Sequence, residues 1–305
     1  MREKFRSREA AMPFIMIAVL IDMAAIGVIV PVLPALVASF ATDPADQAFW
    51  YGVVAAAFGL ANFVASPILG ALSDHFGRRP VMLLGFMGLG VSFFGTAMTT
   101  SLIGLIIART LGGAMQANVA IANAYVADIS APEERAKRFG FLGAMMGVGF
   151  IVGPVVGGLL GAVNLHLPFY FAGSLTLMNL LYGYFVLPES LPLDKRKAFS
   201  WRSANPATSL RKLGQLKGVG PLVGVVAFSG LAQFVLYTVW VLHNSFKFGW
   251  GRALGRRLLK WAMKSEMRFA VSMRRPVTAF NRDRWRASGG LICLHSPEGV
   301  CRPWV

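Results

Sequence analysis

A chain of 305 residues that is 55% hydrophobic and only 14% charged, with a mean hydropathy of +0.58, is too apolar for an ordinary water-soluble domain. Its formal net charge of +16 comes in short basic runs between apolar stretches, which fits loops facing anionic lipid and argues against nucleic acid as a partner. Cys293 and Cys301 have no metal-ligand spacing, and no phosphate-binding glycine loop or nucleophile–base arrangement stands out; no metal, no cofactor and no enzyme activity is expected.

The N-terminus is basic through Arg2, Lys4, Arg6 and Arg8 and runs into an apolar stretch from Ala10. That stretch continues past Asp22 to Val30-Pro31 without a small-residue cleavage site, so it is expected to be a retained first span. Further apolar segments follow, giving candidate spans at about 11–37, 49–72, 80–98, 102–126, 139–163, 168–187 and 219–242. Each is long enough to cross a hydrocarbon core at about 20 residues per span. Basic residues alternate cleanly between loops. The N-terminus, Arg78-Arg79, the Arg135-to-Arg138 run and the loop from Glu189 to Gly218 all carry Lys or Arg, while the loops at 38–48, 99–101 and 164–167 carry none. The positive-inside trend therefore puts the N-terminus in the cytoplasm.

Between the second and third segments stands Gly70-Ala-Leu-Ser-Asp74-His-Phe-Gly77-Arg78-Arg79-Pro80. Asp74 and Arg78 are four apart at a helix exit, where opposite charges can close a turn; Gly77 supplies backbone freedom and Pro80 suits a first helical turn. This spacing resembles the signature joining the second and third helices of the major facilitator superfamily. Six spans, a basic loop and a further span also match the layout of that family's amino-terminal half, central cytoplasmic loop and start of a second half. The resemblance covers about residues 10–251.

It implies an all-α membrane protein: an amino-terminal six-helix bundle at 1–188, a central cytoplasmic loop at 189–218, a seventh helix within 219–251, and a basic non-membrane tail at 252–305. Such halves are two three-helix repeats in inverted orientation, with the substrate cavity near mid-membrane. In the fourth span, Arg109-Thr-Leu-Gly112-Gly113 resembles the family's intramembrane arginine motif. In the fifth, Gly149, Gly153, Pro154, Gly157 and Gly158 resemble the signature of proton-coupled drug exporters. Asp22, Gly27 and Pro31-Val-Leu-Pro34 resemble the first-span motif of that group.

Physical readings stand beside these. Gly149, Gly153 and Gly157 share one helix face and serve close helix packing as readily as antiport. Asp22 and Arg109 are costly inside a membrane, so they either face a cavity and couple protons or form a structural ion pair. The resemblance implies that Asp22 takes part in proton coupling, that the two share a cavity, and that Asp74, Gly77, Arg78 and Asp128 form a cytoplasmic gate. It also implies that gate and glycine face pack on second-half helices. Ser130-Ala-Pro-Glu133 reads as a capping box opening the fifth helix, with Glu133 in the capping role. By polarity, Asn62, Gln116, Asn118, Asn123, Asn179 and Gln233 are cavity candidates, some of them serving helix–helix hydrogen bonds instead. His166, Asp43 and Asp46 are expected to be exposed loop residues.

Within the family, the chain looks most like the tetracycline-resistance type of exporter, as in Ala127-Asp-Ile-Ser-Ala-Pro-Glu-Glu-Arg. It departs where those exporters carry an acid in the third span and this chain reads Gly90-Val-Ser92-Phe-Phe, which weakens a metal-chelated drug as the substrate. It departs again after Gly251, where the sequence stays basic to Val305; an out-of-frame tail, and a chain that cannot transport alone, are the expectations. What the resemblance implies is a proton-coupled exporter of a small amphiphilic drug in a bacterial inner membrane. The alternatives are a metabolite carrier on the same scaffold and a non-transporting membrane protein.

Overall fold

The computed structural model describes residues 11–206, 208 and 220–248. The basic N-terminus, the tail from Arg252 with both cysteines, and the Gln233 side chain lie outside what is described. Among the described residues all regular structure is helical. Six helices among the described residues are long and apolar enough to cross a membrane: Ala11–Ala38, Pro44–Phe76, Arg78–Met98, Leu102–Ile129, Pro132–Val163 and Leu167–Val186. These are the first to sixth spans below. A seventh helix, Gly220–Phe248, follows the central loop, and its described apolar part is Val223–Leu236.

Local chemistry sets the helix ends. Asp43 caps the second span by accepting from Asp46 N at 2.8 Å, and the Asp46 carboxylate accepts in return from Thr42 N at 3.0 Å. Asp43 is thus exposed, as expected, whereas Asp46 is half-buried, and both are occupied. Ser101 caps the fourth span, accepting from Gly104 N at 3.1 Å. The expected capping box at Ser130 does not form. The fifth span opens instead with a 3-10 turn, Pro132–Glu134, no side chain caps it, and the buried Ser130 hydroxyl has no partner. It is Glu134, not Glu133, that makes a local contact, pairing with Arg138 at 2.5 Å one turn on.

The first and fourth spans are both interrupted. Pro31 has no N–H to give to the carbonyl of Gly27, so Val30 N turns back to that oxygen at 3.3 Å and the helix restarts at Leu33. In the fourth span, the low helix propensity of Gly112-Gly113 precedes a break at Met115–Ala117, where Gln116 N bonds Gly113 O at 3.2 Å. Packing repeats the same symmetry. The first span lies on the fifth and sixth, the fourth lies on the second and third, and the third packs on the sixth. Exchanging first with fourth, second with fifth and third with sixth maps this set of pairings onto itself, as an inverted three-helix repeat requires.

Two apolar cores result. One gathers Ile15, Phe86, Ile121, Tyr125 and Leu142 near the end that carries Arg78; the other gathers Leu36, Val54, Phe93, Leu105 and Phe169 near the opposite end.

Candidate functional site

Four features of the bundle carry polar or close-packed chemistry. The first closes the end where the second and third spans meet. Gly77 adopts φ 109°, which only glycine takes without strain, and lets the chain reverse directly into the third helix. The Arg78 guanidinium then reaches Asp74 at 2.6 Å, Asp128 at the end of the fourth span at 3.0 Å, and the Ser73 hydroxyl at 2.7 Å. Asp74, Gly77, Arg78 and Asp128 are therefore brought together as one cluster.

A segment of the central loop lies across that cluster. Tyr125 donates to Pro188 O at 2.7 Å, Ser190 donates to Asp128 at 3.5 Å, and Lys197 N donates to Asp74 O at 3.0 Å. Glu189 supplies the third helix with the cap that Gly77 cannot, accepting from Arg78 N at 2.9 Å and Arg79 N at 3.2 Å. Ser73, Tyr125 and Glu189 were not among the sequence-derived candidates. The sequence signal for Glu189 is an acid placed directly after the sixth span, at Leu187-Pro188-Glu189.

The second feature is Asp22, only 3% exposed, inside the bundle on the first span. Its Oδ1 accepts from Asn118 Nδ2 at 3.4 Å, Asn118 being the first residue after the break in the fourth span. One turn earlier, Ala18 O accepts from Asn179 of the sixth span at 2.8 Å. Asn118 and Asn179 each leave a buried amide oxygen without a partner. Both thus link helices inside the bundle rather than line the cavity.

The third feature is a cavity of about 280 Å³ lined by Met23, Ile26, Tyr51, Phe58, Phe93, Arg109, Gln116 and Phe234 among others. Phe93 stands about 22 Å along its helix from Arg78 at 1.5 Å per residue, so the cavity occupies the half of the bundle away from the charged cluster. Arg109 is 8% exposed and stacks over Phe58, its Cζ 4.8 Å from the ring centroid. Its Nε and one terminal nitrogen are buried without a hydrogen-bond partner. Asp22 is not among the lining residues, which corrects the expectation of a cavity shared by Asp22 and Arg109. Met23, one position on, and Ile26, four on, face it instead.

The fourth feature is a seam between the first and fifth spans. A Cβ added to Gly153 would stand 2.7 Å from both Ala24 O and Gly27 Cα, and one added to Gly149 would stand 2.7 Å from Leu20 O. At Gly157 it would run into the carbonyl of Val28. The glycine face therefore packs within the same half, on the first span. Pro154 lies at this seam beside Gly27, whereas Gly158 faces open space.

The remaining candidates scatter. Gln116 lines the cavity, but Asn62 Oδ1 accepts from the Ser66 hydroxyl one turn away at 2.7 Å and the Asn123 side chain donates to Val119 O at 2.9 Å, both local bonds. Ser92, at the place of the missing acid, donates to Ala108 O at 2.6 Å and ties the third span to the fourth. His166 is half-buried, its Nδ1 2.8 Å from Ala97 O, and is not a free loop residue.

Comparison with known proteins places this geometry. The tetracycline resistance protein of class C from Escherichia coli is 39% identical over 236 residues, covering 77% of this chain and 59% of that protein. Multidrug resistance protein 2 of Bacillus subtilis is 30% identical over 228 residues, covering 73% and 56%. The chain thus spans less than two thirds of the length of these relatives. Among solved structures, that of the human organic anion transporter MFSD10 (TETRAN) has a TM-score of 0.65 at 26% identity, covering 83% of this chain and 69% of that one. The profile of the Major Facilitator Superfamily matches residues 15–273. With six apolar spans, two inverted three-helix repeats and that match over most of its length, this multi-pass membrane protein belongs to the Major Facilitator Superfamily.

Proposed function

We propose that this chain provides the amino-terminal half of a proton-coupled exporter of small amphiphilic molecules, with transport rather than catalysis as its activity. The observation that carries this reading is Asp22: a carboxyl group buried inside the bundle, touched by an amide that can serve it charged or neutral and by no basic side chain among the described residues. A carboxyl in that setting can exchange a proton without breaking an ion pair. The relatives named for tetracycline and multidrug resistance favour outward movement of a drug-like molecule.

In this reading, residues 1–188 form the half-transporter, 189–218 its cytoplasmic loop and 219–251 the start of the second half. The basic loops face the cytoplasm, as does the N-terminus. The Asp74–Arg78–Asp128 cluster latches the cytoplasmic end while the cavity lies toward the other face. Alternating access then consists of breaking that latch as the two halves rock about the cavity.

The test is tetracycline accumulation in cells expressing the chain alone and joined to the carboxy-terminal half of the class C tetracycline resistance protein. The joined form should lower accumulation, and a protonophore or Asp22→Asn should each restore it. Accumulation unchanged in both forms overturns the reading. Export that survives Asp22→Asn removes Asp22 from the coupling role.

A further inference from the structure

The cavity contains one group whose chemistry is left incomplete. Arg109 carries a positive charge that stays on at any physiological pH, is more than nine-tenths buried, and holds two nitrogens without a partner. Among the described residues no ion pair to it exists and no Asp or Glu lines the cavity. Phe58 attends one face of the guanidinium, which favours the cation but neutralises nothing. A charge held in an apolar enclosure without a counter-ion is a standing cost, and the protein as described offers no means of relieving it. The other walls are aromatic and aliphatic: Tyr51, Phe58, Phe93, Ile26 and Met23.

We propose that the cavity takes an amphiphile with one anionic group, a carboxylate or sulfonate, whose charge neutralises Arg109 while its apolar body lies against Phe58 and Phe93. The inference deepens the transporter reading, on which it rests, by naming the substrate class. The cavity of about 280 Å³ suits a body of up to about three rings, at the small end of ligand sites.

The test is equilibrium binding to the purified 305-residue chain in phosphatidylcholine nanodiscs, with empty nanodiscs as the blank. The probes are 1-anilinonaphthalene-8-sulfonate and N-phenyl-1-naphthylamine, which share a ring system and differ by the sulfonate. Arg109→Gln should weaken the sulfonate probe by about tenfold or more and leave the neutral probe within about twofold. Arg109→Lys should recover part of the loss. Should Arg109→Gln fail to fold, judged by helix content, competition on the unaltered chain decides: decanoate should displace the sulfonate probe and decanol should not.

Equal effects on both probes, or equal competition by acid and alcohol, overturn the proposal. So does displacement of the sulfonate probe when phosphatidylglycerol replaces phosphatidylcholine, because the occupant is then a lipid headgroup. Arg109-dependent anion binding without export leaves this inference standing and removes the transport reading. Export that depends on Asp22, without Arg109-dependent anion binding, does the reverse.

Discussion

The carboxylate of Glu189 sits on the backbone N–H of Arg78, 2.9 Å away, although 111 residues separate the two in the chain. The same carboxylate accepts from Arg79 N and Leu191 N, so one side chain satisfies two orphan donors of the third helix and one of its own loop. Glu189→Ala should therefore destabilise the bundle by about 1 kcal/mol, as loss of a helix cap does. Glu189→Gln, which keeps one acceptor oxygen, should cost less. Hydrogen exchange at the Arg78 and Arg79 amides, read beside thermal unfolding in detergent, checks both; unchanged protection in the alanine variant would sink the capping role.

Arg78 holds Asp74 and Asp128 at once, with only 11% of its side chain exposed. A double-mutant cycle of Arg78→Gln and Asp128→Asn should show a coupling of about 1–2 kcal/mol, since the pair is charge-assisted and partly shielded. Arg78→Lys should keep much less than half of that coupling, because an ammonium cannot reproduce a planar fork serving Asp74, Asp128 and Ser73 together. A coupling near zero would mean that the cluster is a solvated surface pair.

Gly77 combines a positive φ with the Glu189 side chain close to where a Cβ would stand. Gly77→Ala should cost about 1–3 kcal/mol from backbone strain alone. Because the damage is local to the turn, it should speed proteolysis between the second and third spans more than it alters total helix content.

Gly153 and Gly158 lie five residues apart and should answer oppositely to the same change. Gly153→Ala forces a methyl to within 2.7 Å of the first span's backbone and should cost about 1–3 kcal/mol. Gly158→Ala meets nothing within 4 Å and should be neutral or stabilising by up to about 1 kcal/mol. Melting temperatures of the two variants in one detergent rank them; equal losses would show that the seam is not close-packed as described.

What the sequence revealed depended on how local each signal is. Span positions follow from runs of apolar residues, and the Asp74-to-Arg78 spacing acts within one turn, so both were legible. The glycine face at Gly149, Gly153 and Gly157 was legible as a face, but periodicity does not say which helix it meets; its partner proved to be Leu20, Ala24 and Val28. The direction in which Asp22 points was hidden in the same manner. In a helix apolar all round, no amphipathic contrast shows which way one residue points, and Asp22 faces Asn118 while its neighbour Met23 faces the cavity. The capping box at Ser130 was legible and wrong, because Pro132 opens a 3-10 turn that carries the chain out of the geometry the box needs. Glu189 was legible only as an acid just past the sixth span; its partners lie at the far end of four intervening spans, where no local signal points.

The loop segment that crosses the charged cluster continues into a short helix, Trp201–Ala204, docked on the second span, with Ala204 buried. The chain up to Ala204 is thus tied to the half-bundle by contacts. The leash to the seventh helix is then counted from Ala204, not from the end of the sixth span. The roughly 15 residues between Ala204 and Gly220 set an upper bound of about 50 Å on the separation of the two. A shorter leash raises the local concentration of whatever follows it, so cutting the chain within 205–219 should loosen the seventh helix from the bundle far more than cutting near Leu193.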